Sequence, residues 1–307
     1  MPPSLITIVG PTATGKTDLS IALAQQLSGE IVSADSRQIY RGFDIGSGKV
    51  SLSEMHNIPH HMLDIRDVWQ GYSVAEFQKE ATQHIQEISQ RNNIPFLVGG
   101  TGLYIDAVIQ GYQIPEIPPN PHLRKKLEQK TLTELQQMHQ LVAKGESLNP
   151  SDSQNPVRLI RKIEQAMSGS PLPSKKTEPL WNNCIIGLTA SPTTLRTQIS
   201  KRVQQRLELG AIEEVHHLLE TLTQHMSVPA AHKKLITFGL GTVAIFDYLQ
   251  GTISYESLQK QYITKEYQYA KRQLTWFKRN PEIHWIDIEK EPVVEESIQQ
   301  IKYTFSL

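Results

Sequence analysis

The most constraining feature of this chain is a phosphate-loop pattern near its start. The run Gly10-Pro-Thr-Ala-Thr-Gly15-Lys16-Thr17 matches G-x-x-x-x-G-K-[ST]. The apolar residues 5–9 before it predict a strand, and the leucines and alanines of residues 19–27 predict a helix after it. A strand, a glycine-rich turn and a helix N-terminus together bind polyphosphates through backbone N–H groups. We therefore predict a diphosphate-binding loop made of Gly10, Pro11, Thr12, Ala13, Thr14, Gly15, Lys16 and Thr17.

Within this loop, Lys16 supplies a cation and the hydroxyl of Thr17 is a candidate ligand for Mg²⁺, which we expect as the cofactor. A nucleoside triphosphatase also needs an apolar strand that ends in an acidic residue. The most apolar later strand, PFLVGG, ends at Gly99-Gly100-Thr101, and the one Asp at a strand end is Asp35. The pattern therefore favours a diphosphate that leaves as a product, without hydrolysis of ATP.

Strand and helix patterns alternate along most of the chain, which predicts an α/β fold: a parallel, P-loop NTPase-like sheet core flanked by helices. Proline-rich stretches at 115–121 and 169–179 enclose a segment with helical patterns alone. We therefore predict a catalytic core made of residues 1–112 and 181–307. Residues 113–180 are predicted to form a small inserted helical domain that acts as a lid.

Composition excludes several classes of protein. The 31 Lys and Arg balance 31 Asp and Glu, so a nucleic acid could be held only by a local basic face. No apolar run approaches the roughly 18 residues of a membrane helix. One cysteine, Cys184, excludes an internal disulfide and a Cys-rich zinc site. The start lacks the basic segment of a secretion signal, so we expect a cytoplasmic protein without a membrane partner.

The phosphate loop and nine further segments, in this order, resemble the successive blocks of the tRNA dimethylallyltransferases, also called tRNA isopentenyltransferases. The resemblance covers most of the chain and is more specific than the phosphate loop alone. The segments are GPTATGKT (10–17), SADSRQIY (33–40), DIGSGK (44–49), HHMLDI (60–65), YSVAEF (72–77), VGGTGLY (98–104), PPNPHLRKKL (118–127), NPVRLIRKIE (155–164), RVQQRLELGAIEEV (202–215) and AKRQLTWFKR (270–279).

The resemblance implies transfer of the dimethylallyl group of dimethylallyl diphosphate to the exocyclic amine of the adenosine just 3′ of the anticodon, with release of diphosphate. Such an amine is a poor nucleophile, so the site needs a base and strong stabilisation of the leaving group. By family correspondence, the catalytic residues are Asp35 as the base, Thr101 near the reacting atoms and Arg202 on the diphosphate.

The partner implied by the resemblance is the anticodon stem-loop of tRNA, bound by a monomer. The target adenosine must be splayed out of its stack to reach a buried electrophile. Ser36, Arg37, Gln38 and Thr101 are the candidates for contact with the flipped base or its neighbours. In the insertion, the arginines at family positions associated with tRNA are Arg124, Arg158 and Arg161.

One block departs from the family pattern. Many members carry Gly-Tyr-basic-acidic or Gly-Tyr-basic-Gln before a YL-x-G turn, but this chain has Gly239-Leu240-Gly241-Thr242 before YLQG. The aromatic residue and the charges of this block are lost.

Three other functions use parts of the same pattern. A cytokinin-type transferase of the same fold prenylates free AMP, ADP or ATP, and the arginines of the insertion argue instead for tRNA. A nucleotide kinase uses the same phosphate loop on ATP, but the acidic strand end is missing. A nucleotide-gated RNA-binding module does no chemistry, and Asp35 beside the loop argues against it.

Overall fold

The computed structural model of the protein describes residues 4–114, 117–143, 148–169, 180–290 and 292–306. The chain divides into two units: Met1–Gly111 with Glu178–Leu307, and Tyr112–Thr177. Of the two proline-rich stretches, residues 115–116 and 170–179 lie outside the described residues.

A parallel sheet forms the centre of the first unit, which confirms the predicted α/β class. Its order is third, second, fourth, first, fifth, sixth strand, and every neighbouring pair is parallel. All the carboxyl ends therefore lie at one edge, where ligands of such sheets bind. The strands are β1 (Ser4–Val9), β2 (Gly29–Ser33), β3 (His60–His61), β4 (Ile94–Gly99), β5 (Asn182–Thr189) and β6 (His284–Asp287).

Helices of the first unit cover both faces of this sheet. The second unit is made of the helices α4 to α7. Many begin at a polar cap: Ser73 accepts from the N–H of Glu76, which reciprocates, and Ser191 accepts from the N–H of Thr194. The helices are α1 (Lys16–Leu27), α2 (Val74–Gln90), α3 (Gly102–Ile109), α4 (Pro121–Leu127), α5 (Leu132–Val142), α6 (Pro150–Ser153), α7 (Pro156–Ser168), α8 (Pro192–Glu208), α9 (Ala211–His225), α10 (Val228–Ile236), α11 (Leu240–Leu249), α12 (Tyr255–Phe277) and α13 (Val293–Phe305).

The central strand β1 is buried on both of its faces, as parallel sheets require. Ile6 and Ile8 pack in a cluster that contains the apolar residues of α1, whereas Leu5 and Val9 pack with those of α2 and α3. None of the helices within the described ranges is both long enough and apolar enough to cross a bilayer.

The third strand is shorter and earlier than the sequence predicts. The apolar run from Met62 to Ile65 suggests a strand there, but β3 stops at His61. Met62 and Asp64 have φ of 65° and 53°, in the left-handed region that breaks an extended strand. The segment after β3 is therefore a loop at the carboxyl edge of the sheet.

The second unit is a helical cluster with its own small core. Leu127 of α4 and Leu135 of α5 are buried together with three apolar residues of α7, which are Leu159, Ile160 and Ile163. Because these residues recur at helical spacing, each helix buries one face and leaves the other polar.

A buried carboxylate ties the edge of the sheet to the end of α2. Glu30 of β2 is 4% exposed and accepts hydrogen bonds from Arg91 (2.8 Å), Asn93 (2.8 Å) and His61 (2.7 Å). Burial alone raises the pKa of a carboxyl group, but here these hydrogen bonds outweigh it and lower the pKa of Glu30 to about 2.

We expect this carboxylate to make the protein sensitive to acid. The pKa of Glu30 is lower in the folded chain than in the unfolded chain, so its stabilisation is complete above pH 4.5 and is lost as the pH falls towards 2. The loss is about 3 kcal/mol in the free energy of unfolding. Urea unfolding between pH 7 and pH 3 checks this. The free energy of unfolding should fall less with acid in Glu30→Gln than in the wild type, whereas the exposed control Glu208→Gln should show the wild-type fall. Parallel pH curves for wild type and Glu30→Gln contradict the assignment.

Candidate active site

The phosphate loop joins β1 to α1 and depends on two glycines. Gly10 has φ +144, and a Cβ there would lie 2.6 Å from the carbonyl oxygen of Leu188. A residue with a side chain would therefore clash with the Leu188 backbone at this position. Gly15, at φ +76, turns the chain into α1, which begins at Lys16. The loop therefore lies at the positive end of the α1 dipole, as an anion-binding loop should.

Side chains close this loop on itself. Lys16 Nζ donates to the carbonyl oxygen of Pro11 at 2.6 Å, and the Thr14 hydroxyl donates to the same oxygen at 2.9 Å. Burial of the ammonium lowers the pKa of Lys16 to about 7; the charge of Arg202 adds to this and that of Asp35 opposes it. An anion in the loop would favour the charged form of Lys16.

Asp35 follows β2 and lies in the turn after it. Its Oδ1 accepts the Arg37 N–H at 2.9 Å, the pattern of an Asx turn. The turn sits against the end of β4, because a Cβ on Gly99 would be 2.3 Å from the carbonyl oxygen of Ala34. Asp35 is thus held at the same sheet edge as the phosphate loop. The hydrogen bond from the Arg37 N–H uses Oδ1 of Asp35 and not Oδ2.

Thr101, after β4, fastens this turn to its neighbouring strand. Its Oγ1 accepts the Ser36 N–H at 3.1 Å and lies 3.4 Å from the Ser36 hydroxyl. The Thr101 N–H donates to the carbonyl oxygen of Ala34 at 3.2 Å. The structure therefore brings Asp35, Ser36 and Thr101 together.

Arg202 reaches the phosphate loop from α8. Its Nη1 donates to the Thr12 hydroxyl at 2.9 Å. Burial and the nearby charge of Arg206 lower the pKa of Arg202 to about 10, although Glu266 and Asp35 act in the opposite direction. The guanidinium remains a cation at neutral pH and lies where it can contact a bound diphosphate.

Gln273 of α12 is a residue that sequence reasoning missed. Its Oε1 accepts the Thr12 N–H at 2.9 Å, and its Nε2 donates to the carbonyl oxygen of Gly100 at 3.0 Å. The side chain is buried and spans from the phosphate loop to the end of β4. The one available signal was its place in the family segment at 270–279.

Arg37 and Gln38 are engaged inside the core unit. The Arg37 guanidinium stacks 4.7 Å from the centre of the Tyr269 ring. Gln38 accepts from the Ser33 hydroxyl at 2.8 Å and donates to the carbonyl oxygen of Gly48 at 3.1 Å. Both residues therefore brace the loops of the site, and their predicted contact with RNA stays a prediction.

A second missed residue, Glu214 of α9, organises the loop at residues 44–49. Its carboxylate accepts three successive backbone N–H groups, those of Asp44 (2.6 Å), Ile45 (2.7 Å) and Gly46 (2.7 Å). Burial raises the pKa of Glu214 even though these hydrogen bonds lower it. This loop carries Gly48, which lies beside Arg202.

The three predicted arginines of the second unit are paired with carboxylates. Arg124 makes a two-pronged bond to the buried Glu164 (2.8 and 2.6 Å), and Arg161 donates to the same carboxylate at 3.3 Å. Arg158 donates to Asp152 at 3.1 Å. Arg124 and Arg161 therefore help to hold the helical unit together, whatever else they bind.

Thr17 is the candidate ligand for Mg²⁺ in the phosphate loop. The Thr17 hydroxyl makes no hydrogen bond within the described ranges and is exposed at the start of α1. In the part of the chain that the structure describes, the one group of three metal-ligating side chains is the exposed His216, His217 and Glu220. Mg²⁺ often takes a single protein oxygen together with substrate phosphates and waters, so Thr17 fits such a site.

Comparison with known proteins gives one consistent result. The IPP transferase family model matches residues 38–280. The tRNA dimethylallyltransferase 1 of Porphyromonas gingivalis is 43% identical, covering 92% of this chain and 93% of that protein. The tRNA dimethylallyltransferase of Pelotomaculum thermopropionicum is 38% identical, covering 97% and 95%. The crystal structure of full-length tRNA isopentenylpyrophosphate transferase from Bacillus halodurans matches with a TM-score of 0.70 at 33% identity, covering 99% and 98%.

Proposed function

The chain belongs to the IPP transferase family, and from that premise we propose that it is a tRNA dimethylallyltransferase. It transfers the dimethylallyl group of dimethylallyl diphosphate to N6 of the adenosine 3′-adjacent to the anticodon, in tRNAs that read codons beginning with U. The products are N6-isopentenyladenosine and diphosphate. The relatives support this function over a cytokinin-type transferase and over a nucleotide kinase.

One observation carries the proposal: an anion-binding loop and a carboxylate meet at a single sheet edge. Arg202 is bonded to Thr12 of the loop, and Gln273 joins the loop to the end of β4. Thr101 then joins β4 to the turn that contains Asp35. A leaving diphosphate and a proton acceptor can therefore act on one reaction centre.

In the proposed reaction, the C–O bond between the allylic carbon and the diphosphate breaks as N6 forms a bond to that carbon. Lys16, Arg202 and the loop N–H groups stabilise the negative charge that develops on the diphosphate. The Asp35 carboxylate accepts the proton that the amine loses. Thr101 keeps the turn of Asp35 in position against β4.

Mg²⁺ would add to the same leaving-group stabilisation by neutralising charge on the diphosphate oxygens. Thr17 would hold it at the N-terminus of α1, where the loop already faces the diphosphate. Because this chemistry consumes no ATP, it needs no acidic residue at the end of β4, the strand that pairs with β1 and ends at Gly99. The strand that does end in an acidic residue, β6 at Asp287, lies at the edge of the sheet.

The RNA partner is the anticodon stem-loop, and we propose that the helical unit contributes phosphate contacts. Among its three candidate arginines, Arg158 is the cleanest probe, because its own side chain is 51% exposed and ion pairs with an exposed member contribute about 1 kcal/mol or less. Arg124 instead neutralises a carboxylate that is 2% exposed.

We expect substitution of Arg158 to weaken tRNA binding and substitution of Arg124 to lower stability. Arg158→Ala should raise the KM for tRNA and remove about 0.7 to 0.9 from the log–log salt slope of RNA binding, with little change in thermal stability. Arg124→Ala should lower the free energy of unfolding by about 2 kcal/mol, because the buried Glu164 loses two charged hydrogen bonds and keeps only the longer one from Arg161 as its cationic partner. Filter binding at several salt concentrations and thermal unfolding check both. An unchanged salt slope in Arg158→Ala removes that residue from the RNA contact.

Incubation with dimethylallyl diphosphate, Mg²⁺ and unmodified tRNA, followed by mass spectrometry of the nucleosides, tests the function. N6-isopentenyladenosine in tRNA is the expected product. Equal prenylation of free AMP would favour the cytokinin-type activity, and release of ADP from ATP would favour a kinase.

A further inference from the structure

A buried set of charges next to the diphosphate-binding residues is not used by the proposed reaction. Glu266 of α12 is 3% exposed, and its Oε1 lies 3.6 Å from Nη1 of Arg206 and 3.9 Å from Nη1 of Arg37. Arg206 itself is 6% exposed. A charge at such a depth persists when an opposite charge compensates it. Glu266 therefore compensates the charge of Arg206, and it shares the compensation of Arg37 with Asp35, whose Oδ1 lies 3.8 Å from Nε of Arg37.

Arg206 lies one helical turn beyond Arg202, and both side chains meet the same glycine. A Cβ on Gly48 would be 2.1 Å from Nη2 of Arg202 and 2.4 Å from Nη2 of Arg206. The two guanidinium groups therefore lie side by side, and their positive charges repel each other. The lowered pKa of Arg202, to which Arg206 contributes after burial, is consistent with this repulsion.

The two arginines differ in what they contact. Arg202 donates to Thr12 of the phosphate loop at 2.9 Å, whereas Nη1 of Arg206 is 3.4 Å from the hydroxyl of Tyr262 and faces Glu266. The buried Nε of Arg206 has no hydrogen-bond partner among the residues that the structure describes. Arg206 is thus a third cation in this region, after Lys16 and Arg202, and it has unused donor capacity and faces a carboxylate.

The block that departs from the family pattern packs against this network. A Cβ on Gly241 would lie 2.2 Å from Cζ of the Tyr262 ring, so the glycine leaves room for that ring. A Cβ on Gly239 would lie 3.1 Å from Nη1 of Arg37. Gly241, which stands where the family pattern has a basic residue, therefore leaves room for the Tyr262 ring, and Gly239, a glycine in the family pattern as well, leaves room for Arg37.

We propose that Glu266 is a positioning residue that withholds the charge of Arg206 from the diphosphate subsite. The subsite then binds the substrate diphosphate through Lys16 and Arg202 and still releases inorganic diphosphate after transfer. Release is the demanding step, because cleavage of the C–O bond leaves the diphosphate with one more ionisable oxygen than the esterified group has. The proposal deepens the proposed function and rests on its diphosphate subsite.

The test measures the Kd of inorganic diphosphate with Mg²⁺ by calorimetry, without tRNA. Glu266→Gln keeps the shape of the side chain but frees the charge of Arg206, so it should bind diphosphate about tenfold more tightly and show stronger product inhibition. The double variant Glu266→Gln/Arg206→Met should return to the wild-type Kd within about twofold, because both charges are gone. Glu256→Gln, an exposed position on the same helix, is the matched control and should leave the Kd unchanged.

A purely structural role for Glu266 predicts the opposite sign, since a disturbed site binds diphosphate more weakly. Equal or weaker binding by folded Glu266→Gln overturns the proposal. If Glu266→Gln does not fold, the Kd of inorganic diphosphate for Arg206→Met is the test. Weaker binding by Arg206→Met than by both the wild type and the double variant supports the proposal. A Kd for Arg206→Met equal to that of the wild type overturns it. If the wild-type protein itself binds no diphosphate, the proposed function fails before this inference is reached.

Discussion

Asp35→Asn is expected to lower kcat for prenyl transfer by about 10²-fold or more, the usual scale for loss of a general base. The substitution keeps the size of the side chain and the Oδ1 acceptor for the Arg37 N–H, so the turn after β2 should persist. What it removes is the ability to take a proton from the amine. The KM for dimethylallyl diphosphate should change little, because the phosphate loop is intact.

Steady-state kinetics with tRNA and dimethylallyl diphosphate, together with the Kd for inorganic diphosphate, check this expectation. Asp67→Asn is the matched control, since Asp67 pairs with Arg41 in an exposed ion pair. A kcat near that of the wild type would remove Asp35 from the role of base. A parallel loss of diphosphate affinity would show that the turn had moved.

The second large effect is expected from Lys16→Ala, which removes the mobile cation of the phosphate loop. A hydrogen bond to a charged group contributes about 1.5 to 3 kcal/mol, so the KM for dimethylallyl diphosphate should rise about 10- to 100-fold. The kcat should fall as well, because charge on the diphosphate grows as the C–O bond breaks. The KM for tRNA should be nearly unchanged.

Steady-state kinetics with each substrate varied in turn separate the effect on the KM for dimethylallyl diphosphate from those on kcat and on the KM for tRNA. Lys302→Ala, on the exposed face of α13, is the control for the loss of one positive charge. ATP should not be consumed in any of these reactions. Hydrolysis of one ATP for each adenosine modified would contradict a loop that serves a departing diphosphate, and would indicate a nucleotide-driven mechanism.

The amino-acid sequence by itself determined the elements whose cause is local. The phosphate loop follows from glycines at left-handed or crowded positions and from Lys16 at the start of α1, all within eight residues. The α/β class follows from the alternation of strands and helices, because parallel strands need crossovers. The placement of Asp35 at the sheet edge that carries the phosphate loop also follows from the sequence, since the carboxyl ends of parallel strands share one edge.

Other features required the tertiary structure, because their partners are distant along the chain. Gln273 meets Thr12 across 261 positions, and Glu214 caps the loop at 44–46 from about 170 positions away. The contact of Arg37 with the flipped base stays a prediction from sequence, and only the fold shows that its guanidinium lies against Tyr269 and Glu266. A side chain's chemistry is local, but its burial and its partner are decided by which elements pack together. The sheet brings the charged groups to one edge, and the packing of α8 against α12 determines that Arg202 contacts the phosphate loop whereas Arg206 faces Glu266.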